Sequence, residues 1–81
     1  MKVDEPEFEY VTVAGYLVAI EQGPTSYGAM VPDLPGLYGW AGTREELIEQ
    51  IALGIPFHIE GLQKDGDPVP PPTTTVETLA A

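Results

Sequence analysis

A chain of 81 residues holds one thin hydrophobic core, and the absence of cysteine removes disulfides and thiolate-bound metal as reinforcement, which leaves association with a partner subunit or a modest self-sufficient core. Thirteen acidic residues against Lys2, Arg44 and Lys64 give a formal charge of -10, which repels phosphate and argues against direct binding to nucleic acid or anionic lipid. Such a surface has a basic protein as its natural complement, or it serves only to keep a small protein soluble.

The whole chain, residues 1–81, reads as a single domain. Its start, Met1-Lys2-Val3-Asp4-Glu5-Pro6, lacks the apolar run of a signal peptide, and no window approaches the roughly 18 apolar residues of a membrane span. A cytoplasmic location with no membrane contact is therefore expected. Residues 1–13 open on an acidic run and are expected to be flexible or irregular.

From residue 14 to 21 the chain alternates as a strand does, with Tyr16, Val18 and Ile20 on one side and Leu17, Ala19 and Glu21 on the other. Gly23-Pro24-Thr25-Ser26 marks a hairpin turn into a second strand over 27–31. Val31-Pro32-Asp33-Leu34-Pro35-Gly36 is then a sharp bend: each proline removes a donor and holds its predecessor extended, and Gly36 can take a positive φ. A short third strand over 37–41 contains Gly39, which either weakens it or marks a bulge. Tyr38 and Trp40 share one face of that strand. They are core residues if the helix covers that face, and exposed interface aromatics if it covers the other.

The spacing predicts a helix over 44–64. Thr43 caps it, with Glu46 three residues on completing a capping box. Leu47, Ile48, Ile51, Ala52, Ile55, Ile59 and Leu62 fall within an arc of about 140°, wide enough to lie on a sheet. Gly54 and Pro56 strain the helix, and a bend rather than a break is expected near 52–56. Gly66 suits the left-handed position that ends it. Residues 68–81 then form a proline-rich extended segment, of which 73–79 is β-prone enough for a last strand. The predicted architecture is α+β, in the order βββαβ: a small, mainly antiparallel sheet of three to four strands with one long helix on one face.

The bend 31–36, the helix beginning at Thr43, the strand 16–21, Ile59-Glu60-Gly61-Leu62 and Asp65-Gly66-Asp67-Pro68-Val69-Pro70 together resemble the HicB family of antitoxins, over roughly residues 14–79. The resemblance implies a truncated ribonuclease H-like domain without its nuclease centre. It further implies a partner: a small basic HicA-like toxin that cleaves messenger RNA with a histidine and whose active site the antitoxin covers. Many relatives add a C-terminal DNA-binding domain. This sequence ends at Ala81, so autorepression by the chain alone is not expected.

No catalytic, metal or cofactor site is expected. Glu45 and Glu49 are four residues apart on the outer helix face and read as solvated surface. Asp65-Gly66-Asp67 lacks the remaining ligands of a calcium loop. His58, the one histidine, falls at the margin of the apolar stripe and reads as a core-edge residue. Leu53 and Phe57 are neighbours on the side of the helix away from that stripe. The expected partner-binding residues are Asp33, Leu34 and Pro35 in the bend, Tyr38 and Trp40 on the third strand, and Glu45, Glu49, Leu53, Phe57 and Glu60 on the helix. Homo-oligomerisation is expected too, by sheet-edge pairing or through Leu53 and Phe57. Beside the antitoxin stands a second reading, an orphan HicB-like domain that self-associates as an interaction or structural module without a toxin.

Overall fold

Four antiparallel strands, β1 (Phe8–Val13), β2 (Tyr16–Gln22), β3 (Tyr27–Met30) and β4 (Tyr38–Ala41), precede one helix, α1 (Arg44–Lys64), in a computed structural model that describes residues 8–77. The sheet order is β1-β2-β3-β4, so every strand lies beside its neighbour in sequence. The fold is the expected α+β layer of a small antiparallel sheet with one helix on one face. Its order is ββββα rather than βββαβ, and two corrections produce the difference.

The first concerns residues 8–13, which are strand and not irregular; the preceding residues lie outside the described part. Val13 and Tyr16 pair across a two-residue turn in which Ala14 (φ 50°) and Gly15 (φ 87°) both take positive φ. That is the twist of a type I′ hairpin, which matches the twist of the flanking strands. Glu9, Val11 and Val13 then face the helix side, opposite Ile20, Val18 and Tyr16. The second concerns the tail. Thr73, Thr74 and Thr75 are not in a strand, and Val76 and Glu77 are helical; Thr78 and Leu79 of the predicted strand lie outside the described residues.

The 23–26 hairpin closes as expected, the Gly23 amide donating to the Ser26 carbonyl at 2.8 Å. The bend is two successive turns, with the Leu34 amide on the Val31 carbonyl (3.0 Å) and the Leu37 amide on the Leu34 carbonyl (3.1 Å). Pro35 and Gly36 (φ 93°) occupy the central positions of the second turn, the pairing that type II geometry selects.

The helix occupies the expected residues. Thr43 Oγ1 accepts from the Glu46 amide at 3.1 Å. At the other end the Gly66 amide reaches the Gln63 carbonyl and the Asp67 amide the Leu62 carbonyl, a Schellman motif built on Gly66 (φ 74°). The helix continues unbroken across Pro56. Ala52, whose carbonyl loses its partner to that proline, is exposed and not part of the buried stripe. Leu47, Ile51 and Ile55 are fully buried against Val18, Ile20, Val31 and Leu34, with Ile48, Ile59 and Leu62 packed around them. Gly39 admits this packing. A Cβ there would lie 2.8 Å from Ile51 Cδ1 and 3.0 Å from Leu47 Cδ1, so the glycine marks the close approach of helix to sheet rather than a bulge.

The tail straps the end of the layer. The Tyr16 hydroxyl donates to the Pro70 carbonyl at 2.6 Å. Farther on, the Asp33 carboxylate accepts from the Thr74 amide (2.8 Å), the Thr74 hydroxyl (2.6 Å) and the Thr73 hydroxyl (3.3 Å).

Candidate interaction surfaces

The helix presents its outer side to solvent. Leu53 and Phe57, one turn apart, are 71% and 79% exposed, with Glu46, Glu49 and Glu60 around them on the same side. Glu45 is exposed on the first turn. Lys64 pairs with Glu60 at 3.1 Å, and Arg44 pairs with Glu9 through both guanidinium arms, Nε donating to Oε1 at 2.8 Å and Nη2 to Oε2. The Arg44 bond holds the Glu9 carboxyl below its ordinary pKa, against a smaller opposing effect of desolvation. Both lysine and arginine among the described residues are thus already matched to carboxylates, and the outer helix face is an acidic surface with an apolar centre.

The opposite side of the layer is different in kind. Cross-strand pairing aligns Tyr10, Ala19, Met30 and Tyr38 in one row across all four strands, and Phe8, Glu21, Gly28 and Trp40 in the next. Val31 and Ala29 face the helix, so these rows face away from it. The ambiguity over Tyr38 and Trp40 resolves accordingly: both lie on the uncovered face and each is 70% exposed. Trp40 Nε1 donates to Ser26 Oγ at 2.9 Å, which satisfies the indole and fixes its plane. Phe8 and Tyr10 stack with ring centroids 6.3 Å apart, an offset contact. Phe8, Tyr10, Ala19, Met30 and Pro32 line a depression of about 180 Å³.

The ten residues expected to bind a partner therefore do not converge. Glu45, Glu49, Leu53, Phe57 and Glu60 form one surface on the helix, Tyr38 and Trp40 belong to the other side, and the bend is a third place. Within the bend Pro35 is exposed, but Leu34, expected among the partner-binding residues, is 0% exposed and belongs to the core, so its side chain is not offered to a partner. Asp33 spends its carboxylate on Thr73 and Thr74, and those bonds, the Thr74 hydroxyl foremost, lower its pKa despite desolvation. Sequence reasoning missed Phe8, Tyr10 and Met30. The alternation of Phe8, Tyr10 and Thr12 against Val11 and Val13 carried the signal for the first two.

His58 is half-buried over Gly36 and lines a shallow depression of about 250 Å³ with Phe57, Gly61, Leu62 and Asp65. Among the described residues no three His, Asp or Glu side chains gather as a metal site requires, and no helix is long and apolar enough to cross a membrane.

The described residues thus form a small acidic two-layer domain with two exposed apolar surfaces. An uncharacterized 14.9 kDa protein from the rep-hol intergenic region of Haemophilus phage HP1 (strain HP1c1) is 34% identical over 55 residues, covering 68% of this chain. The chain spans only 41% of that relative's length. No solved structure gives a significant match. The model of the HicB_like antitoxin of bacterial toxin-antitoxin system matches residues 16–81, from the first residue of β2 through the helix and tail, and the chain belongs to this antitoxin family.

Proposed function

We propose that this domain is a non-catalytic antitoxin module acting in the cytoplasm, which binds a basic HicA-like, mRNA-cleaving toxin and neutralises it by covering the active site. One observation carries the reading. The outer face of α1 combines two adjacent, almost fully exposed apolar side chains, Leu53 and Phe57, with Glu45, Glu46, Glu49 and Glu60. Carboxylates at the rim steer and orient a cationic partner, while a central aromatic that becomes buried sets the lifetime of the complex. The net charge of -10 extends that steering over the whole molecule.

The test is titration of the protein against a purified basic toxin encoded beside it, with RNA cleavage as the readout. Stoichiometric inhibition that Phe57→Ala weakens tenfold or more is the expected result, the loss typical of a central interface aromatic. Full cleavage in the presence of excess protein would refute the proposal. The orphan-module reading gains support from the exposed aromatic side of the sheet, and the same titration separates the two, because an orphan leaves cleavage untouched.

A further inference from the structure

The uncovered face of the sheet has no role in the helix-borne surface just described. Phe8, Tyr10, Met30, Tyr38 and Trp40 are 42%, 37%, 41%, 70% and 70% exposed. At the roughly 150–250 Å² that an aromatic side chain can bury, these exposures leave on the order of 500 Å² of apolar surface for a partner to cover. Doubled across a symmetric pair, that reaches the roughly 1,000 Å² at which a specific interface begins.

We propose that this face joins two copies of the chain, sheet to sheet. Three features select a second copy over another occupant. The first is charge: Glu21 is the one charged side chain in the two rows, so two chains of net charge -10 can meet here with little direct repulsion, as they cannot across the acidic helix face.

The second is shape. A twofold interface must be self-complementary, so that a patch carrying a knob also carries the matching hole. Tyr38, 70% exposed in the same cross-strand row as Ala19, is the knob. The hole is the depression over Ala19, whose volume of about 180 Å³ suits a side chain and falls below the 300–1,000 Å³ typical of small-molecule sites.

The third is register. Ala19 and Tyr38 pair with Met30 from opposite sides in one cross-strand row, each one strand away, or about 4.8 Å. A twofold axis running along β3 between the facing sheets therefore sets Met30 against its own counterpart. It also places each copy's Tyr38 over the other's Ala19. Rotation about that axis keeps the two sets of strands aligned, the commoner of the two sheet-packing geometries.

Light scattering and cross-linking test this on the whole chain. The protein is expected to be a dimer at micromolar concentration, and Tyr38→Glu, at a site too exposed to be needed for folding, should weaken dimerisation at least tenfold with an unchanged thermal melt. The chain has no cysteine, so a single introduced thiol reports position without background. Met30→Cys lies on the proposed axis and should form a covalent dimer rapidly with a short bis-maleimide, while Leu53→Cys should not. A strictly monomeric protein, or a dimer that cross-links through Leu53→Cys and ignores Tyr38→Glu, overturns the proposal. So does a monomer whose Tyr38→Glu variant loses toxin binding, since the face would then belong to the toxin.

Discussion

Gln50 closes the exposed edge of the sheet at Trp40. Its Oε1 accepts from the Trp40 amide at 2.7 Å and its Nε2 donates to the Trp40 carbonyl at 3.2 Å, so one side-chain amide satisfies both backbone groups that a further strand would use. Edge strands with free backbone groups are templates for unwanted pairing. The helix thus guards β4 as well as covering one side of it.

Gln50→Ala is expected to cost about 1 kcal/mol, the usual net value of hydrogen bonds of this kind. Urea denaturation measures that loss. Faster exchange of the Trp40 amide and concentration-dependent turbidity are expected with it, whereas unchanged exchange would show that the amide bridge does not persist in solution.

Gly39→Ala pushes a methyl group into Ile51, Gln50 and Leu47, with the nearest atoms at 2.8, 2.9 and 3.0 Å. Ile51 and Leu47 are buried and have little room to retreat, so a loss of about 1–3 kcal/mol is expected, the range for an overpacked core. Gly42→Ala is the control, because nothing lies within 4 Å of a Cβ there. Equal melting temperatures for the two variants would contradict the close approach of helix to β4.

The strap formed by the tail should respond to acid. Hydrogen bonds from Thr74 and Thr73 lower the Asp33 pKa in the folded protein. Its contribution to stability is accordingly complete above the ordinary carboxylate pKa and is lost as pH falls through the lowered value. Proteolytic cleavage within residues 68–77 should accelerate in that acidic window before the sheet opens. In Asp33→Asn the tail should be cleaved readily already at neutral pH, and acidification should add little to its susceptibility.

Replacing Glu45, Glu49 and Glu60 together by glutamine should slow association with the toxin and flatten its dependence on salt, with a smaller effect on dissociation. Phe57→Ala should do the reverse, raising the dissociation rate. Stopped-flow measurements at two ionic strengths separate them, and a triple variant with the original association rate would remove the electrostatic part of the proposal.

What the sequence disclosed followed from local chemistry. The helix was readable to both ends because Thr43 and Gly66 carry their capping roles in their own side chain and backbone freedom. The bend was readable because proline and glycine act on the residues beside them. β1 was missed since Ala14 stands where a type I′ turn ordinarily advertises itself with asparagine, aspartate or glycine. In the tail the β preference of threonine and valine predicts a strand, but that preference yields to context. Here the context is Asp33, which engages Thr73 and Thr74 from 40 and 41 residues away. Which side of β4 the helix covers was open for a related reason. Gly39 and Ala41 are the small side chains that let a helix approach, and their alternation with Tyr38 and Trp40 held the answer. The separation of the binding residues onto two sides of the layer required the fold itself.

The pairing of Arg44 with Glu9 and of Lys64 with Glu60 has a consequence for how the protein tolerates its own charge. With those two cations committed, the surplus of carboxylates repels itself, and mutual repulsion of this sort loosens a compact state. Dissolved counterions relieve part of it. A polycationic ligand would relieve more, so its binding would raise the melting temperature by more than the buried contact area alone would produce.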